Sequence, residues 1–234
     1  LHKTMLIRNL HSFDVTYQEA LRIQRELAGQ ISLSSSFSGY RYVAGADVGY
    51  SGKDKNLFAA VVVQEYPSGK EIFARAEKST ATFPYIPGLL SFREIPVLLH
   101  VFENLPVTPD VVLCDGQGLA HPRRFGLACH MGLLLDVPCI GCAKSRLVGE
   151  YKEPGTAKGC SSPLTYQDSV VGAVVRTRDN VKPVFVSPGH KVDAETAVRV
   201  VLETCRGYRL PEPTRIAHLL TQKAKQVGGG MDRT

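Results

Sequence analysis

The chain has 234 residues, 44% of them hydrophobic and 21% charged, which is enough apolar content for a substantial core and argues against a disordered chain. Its 28 Lys and Arg against 22 Asp and Glu leave a formal charge of +6, which favours a polyanionic partner without proving one. No run approaches the roughly 18 apolar residues of a membrane span, and Leu1–Leu10 lacks the long apolar core of a secretory signal. Neither a membrane protein nor a secreted one is expected; a cytoplasmic location is.

The first methionine, Met5, follows Leu1–Thr4, and the first predicted element is a helix over Tyr17–Gln30, within an N-terminal segment of about 14–30. Leu21, Ile23, Leu27 and Ala28 make it partly amphipathic. The serine-rich Ser32–Gly39 reads as a linker. Tyr42–Tyr50 is an apolar strand with Asp47 inside it, followed by a polar turn, Ser51–Asn56, and the β-rich run Phe58–Val63. Glu71–Thr82 reads as a third strand. Gly88–Asn104 reads as a helix in spite of Pro96, which should kink or restart it. Asp110–Cys114 is a fourth strand, Leu119–Leu135 a helix with Leu127, Met131, Leu134 and Leu135 as apolar positions, and Val137–Cys142 a fifth strand. Strands at Ser169–Arg176 and Lys182–Val186 and helices at Asp193–Cys205 and Pro213–Gln222 complete the order. A polar tail opens at Gly228-Gly229-Gly230. Hairpin-like strands followed by alternating helix and strand argue an α/β fold, a mixed sheet with helices on both faces. One domain over 1–234 is expected, with a catalytic core at about 41–224 and a flexible tail at about 225–234.

Six cysteines, at 114, 129, 139, 142, 160 and 205, show no regular framework, and reduced thiols are the simplest reading. Cys139-Ile140-Gly141-Cys142 spells C-x-x-C, yet it lacks the second pair a zinc site wants and the thioredoxin-like setting of a redox site.

The most informative stretch follows the apolar run Val111–Cys114, which ends on Asp115, then Gly116-Gln117-Gly118 and His121-Pro122-Arg123-Arg124. An unpaired carboxylate at the end of a buried strand is costly, glycines allow close backbone approach, and the arginines set positive charge beside the acid. That combination points to metal-assisted phosphate chemistry, with a helix-capping Asp115 as the plain alternative. Asp47 within another buried strand strengthens the first reading, although an acid there could also be salt-bridged. A strand bearing an acid, a tight turn and a returning strand resemble the opening of the ribonuclease H-like nuclease fold. In that fold, acids from the first and fourth strands share metal ions.

Four long segments carry a more specific resemblance. Phe83-Pro84-Tyr85-Ile86-Pro87-Gly88-Leu89-Leu90-Ser91-Phe92-Arg93-Glu94 and Asp115–Gly126 resemble signatures of the endonuclease V family of deoxyinosine-directed nucleases. So do Val137–Leu147 and Gly207–Arg215, all in family order. The resemblance implies a metal site of Asp47 and Asp115, with Glu94 as third acid, bound directly or through water. It places His218 near the metals, Lys144 at the scissile phosphate or nucleophilic water, and His121, with Arg123 and Arg124, at the phosphate or substrate. Hard oxygen ligands suit Mg²⁺, with Mn²⁺ able to substitute. Pro84-Tyr85-Ile86-Pro87 resembles the family's wedge: two prolines stiffen the loop, and Tyr85 would fill the space left by a flipped base. Gly88, Leu90, Gly116, Gly118, Gly126 and Gly141 are nominated around the base pocket. Gln117 departs from the family, whose members often carry His there. A solvated glutamate, a snorkelling lysine and a tyrosine in a proline-rich turn are the plain alternatives for Glu94, Lys144 and Tyr85.

The implied activity is Mg²⁺-dependent hydrolysis of the second phosphodiester 3′ to deoxyinosine in DNA, leaving 3′-hydroxyl and 5′-phosphate ends, by an enzyme expected to be a monomer. Inosine in RNA is the nearest alternative, since no residue identifies a reader of the 2′-OH. A damage-binding protein that does not cut, and a general structure-specific nuclease, are the others. Three acids facing phosphate argue against the binder.

Overall fold

The computed structural model describes residues 5–34, 39–51 and 55–229. Leu1–Thr4, parts of the serine-rich linker and of the polar turn, and the end of the tail at 230–234 lie outside the described residues.

One eight-stranded mixed sheet organises the molecule, in the order β3 (Lys70–Thr80), β2 (Asn56–Glu65), β1 (Tyr42–Tyr50), β4 (Val111–Cys114), β5 (Cys139–Ala143), β8 (Val184–His190), β7 (Ser169–Val175), β6 (Ser161–Tyr166). β1 runs antiparallel to β2 and parallel to β4, which is parallel to β5; the other pairs are antiparallel. Strands buried on both faces read as continuous apolar runs, and β2 shows why. Its Leu57, Ala59, Val61 and Val63 pack with α2 (Leu90–Phe102) and α3 (Leu127–Leu135). Ala60 and Val62 pack on the opposite side against Ala217 of α5 (Glu212–Gly229). α4 (Ala194–Thr204) covers that same side over β4 and β8, through Ala197, Val200 and Val201. α1 (Tyr17–Ala28) lies outside α2 and α3, with Ala20, Ile23 and Leu27 against Phe83, Leu89, Phe92 and Phe125.

The helix at 17 is two residues shorter than expected and starts on a capping box. The Thr16 hydroxyl accepts from the Glu19 N–H at 3.3 Å, and the Glu19 carboxylate accepts from the Thr16 N–H at 2.7 Å. Pro96 sits inside α2 without ending it; its missing N–H removes one bond of the ladder. The helix expected from Leu119 begins only at Leu127. Residues 119–126 form an irregular loop containing Pro122 and a left-handed Arg124 at φ 52°. β6 has no counterpart among the expected elements, because Ser161-Ser162-Pro163 reads as a turn; at the sheet edge Pro163 is tolerated. β8 runs on through Pro188, beyond the stretch Val184–Val186 where β7 pairs with it. α5 continues to Gly229, so 225–229, read as tail, are helical.

Side chains alternate along a strand, so residues three apart point to opposite faces. Cys139 accordingly lies in the core under α3 and Cys142 in the core under α4. The C-x-x-C pair is split by the sheet and cannot chelate one ion.

Candidate active site

The site forms where β4, only four residues long, stops beside the longer β1. Ala46 pairs with Cys114 in the parallel register, and the Asp115 N–H donates to the Ala46 carbonyl at 2.9 Å, so Asp47 and Asp115 emerge side by side. On β1 the even-numbered Ala44 and Ala46 face α2 and α3, whereas Asp47 turns to α5. There its Oδ2 accepts from the Thr221 hydroxyl at 2.8 Å and from His218 Nδ1 at 3.1 Å. His218 and Thr221, three apart, share one side of the helix. Ligand atoms of Asp47, Asp115 and His218 lie within 4.8 Å of one another, a group that could hold a metal ion.

Glu94 arrives from the other layer. It projects from α2, accepts a hydrogen bond from the Tyr50 hydroxyl, and lines the cleft with Asp47, Asp115, Lys144 and His218 without joining the close trio. Lys144, one residue past β5, donates to Asp115 Oδ2. Its backbone is held by Arg209, whose guanidinium donates to the Lys144 carbonyl at 2.6 Å and the Pro183 carbonyl at 2.8 Å. Tyr50, Arg209 and Thr221 were missed from the residues alone. Only Thr221 carried a signal, its helical spacing from His218.

Burial pushes the Glu94 carboxyl up to about 7, and the charges of Asp47 and Asp115 add to that, while the Tyr50 hydrogen bond opposes it. Asp115 is raised by burial and by Asp47, with Lys144 opposing. Carboxylates that repel one another at the mouth of a cleft mark a place short of positive charge. Their hard oxygens fit a divalent cation, which would favour their ionised forms.

A second cavity, of about 400 Å³, adjoins this cleft and shares Glu94, Asp115 and Lys144 with it. Tyr85, Pro87, Gly88, Leu90, Gly116, Gln117, His121 and Gly126 line it, and of these Gly88, Leu90, Gly116 and Gly126 are among the six residues nominated around a base pocket from the sequence. Gly118 and Gly141 stand behind it instead. A Cβ on Gly118 would lie 2.1 Å from the Pro188 carbonyl oxygen, and one on Gly141 would lie 2.5 Å from the Gly118 nitrogen. They let the 115–118 loop pack flat on β5. Gln117 anchors that loop, its side-chain amide donating to the Ser145 carbonyl at 3.0 Å.

In the proline loop Tyr85 is 62% exposed and meets the Tyr50 ring edge-on, 6.1 Å between centroids. Pro84 and Pro87 are also exposed, while Ile86 packs on the α1 core. The Gly88 carbonyl accepts from Gln24 at 3.0 Å, His121 Nε2 at 3.1 Å and Arg123 at 2.6 Å. His121 and Arg123 thus brace the loop, and Arg124 points elsewhere, toward the Tyr166 carbonyl at 3.4 Å.

Burial, then the charge of Arg123, lowers the His121 imidazole to about 4 from an ordinary 6.5. The unfolded chain therefore binds the proton more readily than the folded one, and this residue's contribution to stability is complete above pH 6.5 and lost as pH falls toward 4. Thermal melts of His121→Gln should show a shallower decline across that window than the parent. Identical slopes would refute this linkage.

Neighbouring acids from the first and fourth strands of a mixed sheet, a third acid from a helix across the sheet and a lysine on one of them define a ribonuclease H-like nuclease. The sequence model of the Endonuclease V family matches residues 25–219, and the chain belongs to that family. It is 51% identical over 213 residues to an endonuclease V of Dehalococcoides mccartyi, covering 91% of this chain and 96% of the relative. The solved endonuclease V of Streptomyces avermitilis superposes with a TM-score of 0.87 at 39% identity, over 97% of this chain and all (100%) of that one. The Ciona intestinalis enzyme, crystallised with a 23mer DNA containing an inosine followed by a ribo-adenosine, superposes at 0.80 and 30% identity, over 91% and 99% of the two chains.

Proposed function

We propose that this protein is a Mg²⁺-dependent endonuclease that takes a flipped hypoxanthine into its 400 Å³ cavity and cuts the second phosphodiester 3′ to deoxyinosine in DNA. The observation that carries this reading is the continuity of a cavity large enough to admit a base with the acid cleft through Glu94, Asp115 and Lys144. The inosine-containing DNA held by the Ciona relative supports the choice of base. Asp47, Asp115 and Glu94 would hold the metal, with His218 beside them. A bound Mg²⁺ neutralises phosphate charge and lowers the pKa of a bound water. Thr221 and His218 fix the Asp47 carboxylate, and Lys144, paired with Asp115, carries positive charge to the edge that both cavities share. We also infer a monomeric, cytoplasmic enzyme, in keeping with six free cysteines and with the absence, among the described residues, of a helix long and apolar enough to cross a membrane.

Matched duplexes carrying one deoxyinosine or one riboinosine, assayed with Mg²⁺, Mn²⁺ or chelator, test the proposal. Nicking 3′ to deoxyinosine should appear with either metal and vanish with chelator. Absence of nicking on the deoxyinosine duplex, or faster nicking at riboinosine, would refute the DNA assignment.

Tyr85→Ala should weaken recognition in duplex more than in single strands, where less stacking must be broken. Aromatic stacking on a base contributes about 1–3 kcal/mol, so the duplex kcat/KM should fall by roughly fivefold to 150-fold. A duplex-to-single-strand ratio equal to that of the parent would make Tyr85 a structural residue.

A further inference from the structure

A chain of hydrogen bonds runs from the N-terminal segment to the base cavity. His11 Nδ1 lies 2.7 Å from the Ser12 carbonyl oxygen, His11 Nε2 lies 2.7 Å from His130 Nε2, and His130 Nδ1 lies 3.1 Å from the Ser91 hydroxyl. Ser91, on the first turn of α2, lines the cavity. The direction of the chain follows from its first member. A carbonyl oxygen only accepts, so the proton of a neutral His11 sits on Nδ1 and its Nε2 offers a lone pair. His130 must then donate from Nε2, which leaves its Nδ1 as an acceptor, and the Ser91 hydroxyl donates to it. With its one hydrogen committed, Ser91 can offer the cavity only lone pairs. Phe13, Phe92 and Phe125 pack around the two imidazoles, and this burial lowers both below the ordinary histidine range, His130 well below it, which keeps both rings neutral.

Resting on the reading that hypoxanthine enters this cavity, we propose that Ser91 is a specificity-determining residue whose hydroxyl, oriented by the Ser12–His11–His130 relay, accepts a hydrogen bond from the base N1–H. Hypoxanthine carries a proton on N1; adenine and unsubstituted purine present a lone pair there. A hydroxyl free to rotate could serve either kind of base. One fixed as an acceptor meets the second kind lone pair against lone pair, and so discriminates by repulsion as well as by attraction. The relay makes His11 and His130 positioning residues.

The test compares duplexes carrying deoxyinosine or deoxynebularine, the unsubstituted purine, and reads the ratio of their kcat/KM values. Ser91→Ala should lower cleavage at deoxyinosine by about two- to tenfold, the range one neutral hydrogen bond supplies, and leave deoxynebularine unchanged or improved. His11→Phe keeps a ring against Phe13 and Phe92 but removes the acceptor. It should release the Ser91 hydroxyl and lower the ratio in the parent, yet have no effect on it in the Ser91→Ala background. Additive effects of the two changes on the ratio would overturn the proposal. Independently of any substrate, ¹⁵N chemical shifts of the histidines in the free protein should show His130 protonated on Nε2 and bare on Nδ1, with His11 the reverse. The opposite tautomers would overturn the relay even if deoxyinosine is cut, whereas failure of the parent to cut deoxyinosine would overturn the substrate reading, with the relay judged by the spectra.

Discussion

Asp47→Asn and Asp115→Asn are each expected to abolish nicking of a deoxyinosine duplex in Mg²⁺ while leaving the fold as stable as the parent or more so. Both side chains lie in the close trio with His218, and each change keeps the volume and the ability to accept a hydrogen bond from Thr221 or Lys144. What is lost is charge. Replacing partners that only support a metal ligand typically costs tenfold to a hundredfold, so loss of a ligand's charge should exceed about a hundredfold in kcat. The stability arm has the opposite sign, because Asp115 and Glu94 are both raised in part by the charge of Asp47. Removing that charge relieves repulsion in the metal-free protein, and melts in chelator should show an unchanged or higher Tm for Asp47→Asn. A folded Asp47→Asn enzyme that nicks at the parent rate would end the metal-site assignment.

Gly141→Ala, the smallest side chain that can be added, should be nearly as damaging. Its Cβ would lie 2.5 Å from the Gly118 nitrogen and 2.7 Å from both the Gln117 carbonyl carbon and the Gly116 oxygen, all backbone atoms of the loop that begins at Asp115. Backbone cannot rotate away as a side chain can, so the loop must lift off β5. Overpacking of this kind costs about 1–3 kcal/mol. For a chain of this size that corresponds to a Tm lowered by roughly 2–12 °C. Activity should fall further than stability explains, because Asp115 and the floor of the base cavity move together. A variant with the parent's Tm and kcat/KM would show that the loop has room, and with it that the glycine is dispensable.

How much of this was legible before the fold was known depends on where the information lies. The acids on strands announced themselves, because Asp47 and Asp115 interrupt or end apolar runs that would otherwise be pure core. β1 and β2 were equally plain, since burial on both faces leaves an unbroken stretch from Leu57 to Val63. β6 was not, because an edge strand tolerates serine and proline and so resembles a loop. The helix expected from Leu119 failed for a related reason: leucine and alanine at 119–120 satisfy the periodicity, while the tight packing of Gly118 and Gly126 on backbone holds the chain out of helix. The site residues that escaped, Tyr50 and Arg209, act through partners 44 and 65 residues away in sequence, a relation with no local signature. His121 and Arg123 illustrate the converse. Their chemistry read as phosphate or substrate contact, and only the fold shows that both also hydrogen-bond to the Gly88 carbonyl.

The placement of His218 and Thr221 on the last helix bears on how the protein comes into being. During synthesis the strands that carry Asp47 and Asp115 and the helix that carries Glu94 leave the ribosome before α5, which begins at Glu212. A nascent chain halted short of that point holds its acids, but Asp47 lacks both of the side chains that hydrogen-bond to it in the finished protein. In such an arrangement the packing of α5 onto β1 is the step that completes the hydrogen bonding of Asp47.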